Sequence, residues 1–231
     1  MRRFYREVAV EARPQGHALL LDGRPVRTPA KALFLAPNAA VAEAAAAEWR
    51  DQGPRIHPPD MPMTRFVNSV IDHVMPQRTG VIDRIAAYGA TDLLCYRAEA
   101  PEALVARQKD LWDPPLAWIA KTHDIVLRVT DGVRPITQDA TALERLRERI
   151  AALDPWHLAG LENATTVTGS VVLALALFEG ELDVERAWTA ASVDEDHQAA
   201  IWGTDADAAR RRESLKRELD ETARWLDLLA D

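Results

Sequence analysis

The chain has 231 residues, of which 28 are Lys or Arg and 36 are Asp or Glu, and its formal net charge is -8 with the histidines neutral. Its hydrophobic fraction of 48% and charged fraction of 28% are typical of folded globular proteins and exclude an intrinsically disordered chain. Cys95 is the one cysteine, which excludes an intrachain disulfide, favours a reducing compartment and excludes a cysteine-based zinc framework.

The first 35 residues predict short strands joined by turns. Strand-like segments occupy residues 4–10 and 17–21, and after the turn Asp22-Gly23-Arg24-Pro25 they continue at 26–28 and 31–35. Residues 38–50 are rich in alanine and contain no helix breaker, and Asn38 is a suitable N-cap residue. The sequence therefore predicts a small antiparallel sheet with a helix packed on it.

Prolines at 54, 58, 59 and 62 predict a stiff, extended connection and the best candidate domain boundary. Beyond them the apolar residues recur at helical spacing, apart from a possible strand at residues 125–129. The expected fold class is α+β, with an N-terminal α+β domain at residues 1–75 and a larger multihelical domain, an orthogonal bundle, at residues 76–231. Helix ends are indicated by Asp113-Pro114-Pro115, Asp131-Gly132, Asp154-Pro155 and Gly180, and either Thr168 or Ser170 opens the most apolar helix.

Several classes of function lack their motifs. The chain contains neither Gly-x-Gly-x-x-Gly nor Gly-x-x-x-x-Gly-Lys, so nucleotide binding has no support, and it lacks the Gly-x-Ser-x-Gly of a hydrolase nucleophile. The longest apolar run, residues 167–178, is shorter than the ~20 residues that cross a bilayer. The first residues resemble neither a signal peptide nor a transit peptide. We therefore expect a cytoplasmic protein without membrane insertion.

The acidic excess is concentrated at the C-terminal end. Residues 181–231 carry 7 basic and 14 acidic side chains, whereas residues 1–60 carry 9 and 7. An acidic surface disfavours nucleic acid and attracts a basic protein surface. A charged face that serves solubility alone would have the same composition, so the sequence leaves both interpretations open.

The segment Asp194-Glu195-Asp196-His197 is the one cluster that could hold a metal ion or perform acid/base chemistry, and a metal-assisted hydrolase is one alternative function. Successive residues of a helix point about 100° apart, so these four groups cannot converge on one ion without further ligands.

A stripe at helical spacing passes through the same segment. It is either an open, tryptophan-flanked face that binds protein, or the helix is turned so that Ala187, Ala190, Ala191 and Ile201 face the core while Asp194, Glu195 and Gln198 are merely solvated. The stripe consists of Val184, Trp188, Ala191, Glu195, Gln198 and Trp202.

A series of short motifs extends along nearly the whole chain, and in this order the motifs resemble the assembly chaperone family of F-type ATP synthase that binds the alpha subunit of the catalytic sector. The motifs are Arg3-Phe4-Tyr5, residues 21–29 (LDGRPVRTP), Glu48-Trp49 with Gln52, Met63-Thr64-Arg65 with Asn68 and Asp72, residues 91–97 (TDLLCYR), Gln108 with Trp112-Asp113-Pro114, Gly160-Leu161-Glu162, residues 173–177, Asp194-Glu195 with Gln198, and Trp202-Gly203.

The resemblance implies an ATP-independent chaperone, a bacterial member, that performs no catalysis and uses no cofactor. It implies that the chain, a monomer when free, binds the free alpha subunit and prevents its aggregation. It also implies partner-binding roles for Glu162 and Glu195, together with Gln198, Trp202 and an acidic residue after Trp202-Gly203, here Asp205. Trp49 is implied as a structural or binding residue. A general holdase without a fixed client is a further alternative.

Overall fold

The computed structural model describes residues 1–132 and 134–230, which form two compact units. The N-terminal unit comprises residues 1–78, residues 154–160 and the chain from Arg224 to the end of the described part. The helical unit comprises Thr79–Leu153 and Leu161–Ala223. The division into domains at residues 75 and 76 stays a prediction.

A four-stranded antiparallel sheet forms the first part of the N-terminal unit. Its strands are β1 (Val8–Arg13), β2 (Gly16–Leu21), β3 (Arg24–Pro25) and β4 (Leu35–Ala36), and β2 pairs with each of the other three. Asp22 and Gly23 both have positive φ, 50° and 75°, as a tight two-residue hairpin turn requires. The strand predicted at residues 4–10 begins only at Val8, and the strand predicted at 26–28 is reduced to one bridge between Arg27 and Leu33.

Two α-helices lie entirely within the described part of this unit, α1 (Ala39–Asp51) and α2 (Pro62–Ser69), and α2 continues as a π-helical turn over Val70–Val74. Residues 155–160 and the end of the last helix also belong to the unit. Asn38 Oδ1 accepts a hydrogen bond of 2.9 Å from the Val41 N–H, which confirms the predicted N-cap of α1. At the other end of the chain, the Trp225 ring stacks on Phe66 with centroids 4.8 Å apart. Tyr5, Leu21, Ile56 and Met61 form a buried apolar cluster, and Trp49 packs against it.

The remaining elements are mainly helices. They are α3 (Arg78–Ala87), α4 (Glu102–His123), α5 (Ala140–Ala151), α6 (Pro155–Thr168), α7 (Val171–Phe178), α8 (Val184–Ala191), α9 (Val193–Trp202) and α10 (Ala206–Ala230). Together with the N-terminal sheet they confirm the predicted α+β fold class. Within the described residues, no helix combines the length and the apolar content needed to span a bilayer.

A buried carboxylate organises the start of α7. Ser170 is the N-cap of α7, and its Oγ accepts from the Leu173 N–H at 3.1 Å and donates to Asp92 Oδ1 at 2.7 Å. Asp92 also accepts from the Leu94 and Val172 N–H groups, at 3.1 and 3.2 Å. Asp92 is fully buried, and desolvation raises its pKa to about 6 against the opposing effect of these hydrogen bonds.

Several predicted features of the helical unit are wrong, and one of them is the helix end at Asp131-Gly132, because Asp131 belongs to a strand. Residues 125–129 form no strand, and the short strand β6 (Thr130–Asp131) pairs instead with β5 (Tyr96–Arg97). The Gln138 amide accepts from the Arg128 N–H at 2.8 Å and donates to the Arg128 carbonyl at 2.9 Å, so it replaces the partner strand. Pro114 and Pro115 do not end a helix but lie inside α4. The buried side chains on both sides of the prolines, Trp112 and Ile119, hold α4 together despite the missing N–H groups.

Candidate protein-binding site

The segment from Val184 to Trp202 consists of two helices where the sequence predicts one continuous stripe. α8 and α9 are separated at Ser192, whose φ and ψ are -103° and 9°. The Ala190 carbonyl accepts a hydrogen bond of 2.7 Å from the indole of Trp112, which satisfies an acceptor at the end of α8. The prediction of a single stripe is therefore wrong, because its first three residues and its last three lie on different helices.

Exposure distinguishes the two orientations that the sequence leaves open. Ala187 and Ala190 of α8 are buried, as the closed orientation predicts. On α9, however, Ile201, which the closed orientation would bury, is 55% exposed, and Trp202 is 84% exposed. Glu195 and Gln198 are exposed as well, as both orientations predict. The α9 part of the predicted stripe is therefore an open face.

The four ionisable residues at 194–197 diverge, as helical geometry requires. Asp194 accepts a hydrogen bond of 2.6 Å from Gln108, and Asp196 pairs with Arg212 at 2.5 Å. His197 has a buried Nε2 without a hydrogen-bond partner among the described residues. The part of the chain that the structure describes contains no group of three His, Cys, Asp or Glu side chains that could hold a metal ion. The geometry gives no support to the metal-assisted hydrolase.

A tight connection places Trp202 at a corner between α9 and α10. Gly203 ends α9 with a positive φ of 77°, and its N–H donates to the Ala199 carbonyl at 2.9 Å. Asp205 then caps α10, since its Oδ1 accepts from the N–H groups of residues 207 and 208, both at 2.8 Å. Asp205 thus has a structural function as well as its place at this corner.

These residues line a groove of 770 Å³ between α9 and α10, called here the α9/α10 groove. The structure brings together four of the predicted residues in its lining: Glu195, Gln198, Trp202 and Asp205. The groove combines apolar and acidic side chains with two arginines. Its further lining residues are Asp196, Ala199, Gly203, Thr204, Asp207, Ala208, Arg211, Arg212 and Leu215.

The residues of α10 that line this groove were not predicted from the sequence. Arg212 lies on α10, and its guanidinium lies 5.4 Å from the centre of the Trp188 ring while it pairs with Asp196. Arg212 therefore connects α8, α9 and α10 in the helical unit. The run Arg210-Arg211-Arg212, within an otherwise acidic segment, is the sequence signal that could have indicated it.

Glu162 is in a different setting. It lies on α6, and its carboxylate accepts hydrogen bonds from Nε and Nη2 of Arg84 on α3, at 3.2 and 2.9 Å. Its side chain is 25% exposed. Glu162 is not among the described residues that line the α9/α10 groove, so the structure does not bring it together with Glu195 in one site.

The Glu48-Trp49 motif has two separate functions in the N-terminal unit. The Glu48 carboxylate caps α2 from α1, because it accepts from the N–H groups of Met63 and Thr64, at 2.6 and 2.9 Å, and from the Thr64 hydroxyl at 2.8 Å. Burial raises the pKa of Glu48 in spite of these bonds. The Trp49 ring is half-buried and meets Tyr5 edge-on at 5.5 Å, and the Trp49 carbonyl accepts from the Tyr5 hydroxyl at 2.6 Å.

Comparison with known proteins assigns the chain to a family. Residues 2–120 match the family of ATP12 chaperone proteins. The chain belongs to the ATP12 chaperone family. This assignment confirms the resemblance that the motifs indicate and places the chain among chaperones.

The similarity to solved ATP12-family structures extends over almost the entire chain. The crystal structure of Atp12 from Paracoccus denitrificans aligns with a TM-score of 0.94 at 41% identity, over 98% of this chain and 97% of that one. A protein from Agrobacterium tumefaciens aligns with a TM-score of 0.92 at 39% identity, over 99% and 86% of the two chains. The mitochondrial protein atp12 of Schizosaccharomyces pombe is 25% identical over 235 residues, which cover 96% of this chain and 81% of that protein.

Proposed function

We propose that this ATP12-family chain is an ATP-independent chaperone that binds the free alpha subunit of F-type ATP synthase and prevents its aggregation before assembly. The chain acts by covering a surface of its client and carries out no chemical reaction. We place it in the bacterial cytoplasm, in keeping with its relatives in Paracoccus and Agrobacterium. The observation that carries the proposal is the open α9/α10 groove, with an exposed tryptophan between acidic side chains.

Trp202 is the apolar anchor of this surface. Its side chain is 84% exposed in the free chain, beside Ile201 at 55%. Covering a large aromatic side chain contributes about 2 kcal/mol, and tryptophan is enriched among the residues that dominate interface energetics. Trp202 is the last residue of α9, and the turn at Gly203 and the Asp205 cap of α10 follow it directly. This position at the corner between two helices leaves the ring accessible to a partner.

The acidic side chains supply selectivity for a basic client surface. Glu195 is exposed and lies on the same face of α9 as Gln198. The last 51 residues, with 7 basic and 14 acidic side chains, extend the negative potential around the groove. Complementary charge mainly increases the rate of association and discriminates against wrong partners. Because charge contributes mainly to rate and selectivity, the chaperone can bind its client with moderate affinity and release it later.

The absence of phosphate-binding motifs from the sequence supports independence from ATP. A glycine-rich loop that brings backbone N–H groups to the phosphates is a common basis of nucleotide binding, and the chain contains neither Gly-x-Gly-x-x-Gly nor Gly-x-x-x-x-Gly-Lys. Binding and release then follow from competition between the chaperone and the subunits that replace it in the assembled complex.

Capture of the purified alpha subunit by charge-reversal variants tests the proposal. We expect Glu195→Lys to weaken capture about tenfold with an unchanged melting temperature. Glu144→Lys is the matched control, because Glu144 is an exposed glutamate on α5, and it should bind as the unmodified chain does. Equal capture by the Glu195 and Glu144 variants would contradict the proposed groove.

Glu162→Lys tests whether the predicted acidic surface extends beyond the groove. Because Arg84 would then face a like charge, its melting curve must be compared with that of Glu162→Gln. We expect both variants to weaken capture, by less than Glu195→Lys does. Rescue of several unrelated aggregating proteins by the unmodified chain, with no preference for the alpha subunit, would favour a general holdase instead.

A further inference from the structure

A second groove, of 660 Å³, lies in the N-terminal unit, beside the hairpin that joins β2 and β3. It is separate in sequence from the α9/α10 groove, and its lining is apolar with arginines at the hairpin. We call it the N-terminal groove. Its lining residues are Met1, Phe4, Tyr5, Leu21, Asp22, Arg24, Pro25, Val26, Arg27 and Trp49.

Both sequence neighbours of the exposed Phe4 are anchored in the N-terminal unit. Arg3 donates to the carbonyls of Arg50 and Gln52, at 3.2 and 2.6 Å, and its guanidinium lies 4.7 Å from the centre of the Tyr5 ring. Tyr5 is buried and donates to the Trp49 carbonyl at 2.6 Å.

Phe4, between these two anchored residues, is 64% exposed. Its ring lies 5.4 Å from the Tyr5 ring, at an interplanar angle of 83°. The exposed Phe4 ring thus contacts the buried Tyr5 and belongs to the lining of the groove.

The charge around this groove is opposite to that of the chain as a whole. Arg24 and Arg27 line it, while the acidic lining residue, Asp22, accepts hydrogen bonds from the N–H groups of Arg6 and Glu7, at 3.0 and 2.8 Å. Residues 1–60 carry 9 basic and 7 acidic side chains in a chain with a net charge of -8. The N-terminal groove thus has a basic edge on an acidic protein.

We infer that the N-terminal groove binds a segment of the client in which acidic side chains stand beside a large apolar one. The apolar side chain would pack against Phe4, Tyr5 and Trp49, and the carboxylates would meet Arg24 and Arg27. The net negative charge of the chain disfavours a long polyanion such as nucleic acid, whereas a short acidic peptide segment matches both the apolar floor and the two cations. This inference rests on the proposed function, because it takes the client to be the same alpha subunit.

Photo-crosslinking with the full-length chain tests this inference. The photoreactive residue p-benzoylphenylalanine replaces Phe4, the purified alpha subunit is added, and mass spectrometry identifies the crosslinked segment. Val126 is the control position, because it is an apolar residue of the helical unit that is 60% exposed. We expect position 4 to crosslink to one client segment of net negative charge and position 126 to give no comparable product.

Charge reversal provides an independent measurement. We expect Arg24→Glu/Arg27→Glu to weaken capture about tenfold and to remove the position-4 crosslink. The control with the same change in charge is Lys109→Glu/Lys121→Glu, two exposed lysines of α4, which should bind within about twofold of the unmodified chain. Arg24→Glu alone spares the hydrogen bond from Arg27 to the Lys31 carbonyl, so a partial loss of capture with an unchanged melting temperature excludes misfolding as the cause.

The outcomes separate this inference from the proposed function. Three outcomes would each overturn the proposed role of the N-terminal groove and leave that of the α9/α10 groove intact. They are normal capture by the Arg24/Arg27 variants, a crosslink from position 4 to a basic client segment, and a crosslink only to a second copy of the chain. If the unmodified chain fails to capture the alpha subunit, the proposed function fails and this inference fails with it.

Discussion

Asp92 and Glu195 are both carboxylates of the helical unit, but they are in opposite environments. Asp92 is fully buried and accepts hydrogen bonds from Ser170, Leu94 and Val172, whereas Glu195 is exposed on the open face of α9. Around Asp92 every bond is directed inward and contributes to stability. The Glu195 carboxylate itself faces solvent and is accessible to a partner. Under the proposed function, we expect stability and client binding to depend on separate residues and to respond to separate substitutions.

The largest expected effect comes from Trp49→Arg. A guanidinium would replace a half-buried ring that packs against the Tyr5 cluster, and we expect a loss of about 4 kcal/mol in the free energy of unfolding. Chemical denaturation measures it. Trp49→Phe is the matched control and should lose far less, because the Trp49 indole N–H has no hydrogen-bond partner among the described residues. Equal stability of the Arg and Phe variants would show that Trp49 does not support the fold.

Asp92→Ala tests whether the buried carboxylate contributes to stability and not to client binding. It leaves the buried Leu94 and Val172 N–H groups without their acceptor, and we expect a loss of about 3 kcal/mol in the free energy of unfolding. Asp139→Ala, which removes the exposed N-cap of α5, is the control and should cost less. Capture of the alpha subunit, measured below the melting temperature, should be unaffected. A strong loss of capture by folded Asp92→Ala would remove the distinction between the two regions.

Trp202→Ala tests whether the exposed tryptophan contributes to client binding and not to stability. We expect it to weaken binding of the alpha subunit by about 2 kcal/mol, or about 30-fold in Kd, with no loss of stability, because the ring is 84% exposed in the free chain. Titration calorimetry provides the affinity and thermal denaturation provides the stability. Val126→Ala, at another exposed apolar position, should alter neither quantity. A lower melting temperature for Trp202→Ala would show that this ring belongs to the fold.

The smallest effect is a dependence of stability on pH. The pKa of Asp92 is about 6 in the folded chain, against the ordinary value of 3.8, so the folded state binds a proton that the unfolded state has released at the same pH. This contribution to stability is complete below pH 3.8 and is lost as the pH rises through 6. Between pH 7.5 and 5 the unmodified chain should gain about 1 kcal/mol relative to Asp92→Asn. If the free energies of unfolding of the two proteins differ by the same amount at pH 7.5 and at pH 5, the raised pKa of Asp92 is contradicted.

Local signals in the sequence predicted much of the fold. Asn38 is the predicted N-cap of α1, and Ser170, one of the two predicted candidates, is the N-cap of α7. Asp22-Gly23 forms the first half of the predicted turn, whereas Arg24-Pro25 belongs to β3. Each of these features depends on a few neighbouring residues. The order of motifs indicated the family, and the family match confirmed it.

Features that depend on distant residues could not be predicted in this way. The break between α8 and α9 is stabilised by Trp112, which lies 78 residues before Ala190 in the chain. The amide of Gln138 takes the place of a partner strand beside Arg128. The pairing of Glu162 with Arg84 likewise joins residues 78 positions apart. No periodicity within one segment reveals such contacts, and for the same reason the groove between α9 and α10 emerged only from the structure.

The most direct test of the central claim is aggregation of the free alpha subunit, followed by light scattering after dilution from denaturant. With an equal concentration of the unmodified chain and no nucleotide, we expect aggregation to be suppressed, and added ATP to change nothing. The Glu195→Lys/Trp202→Ala variant, equally stable, should fail to suppress it. Full suppression by that variant, or suppression that requires ATP, would contradict the account.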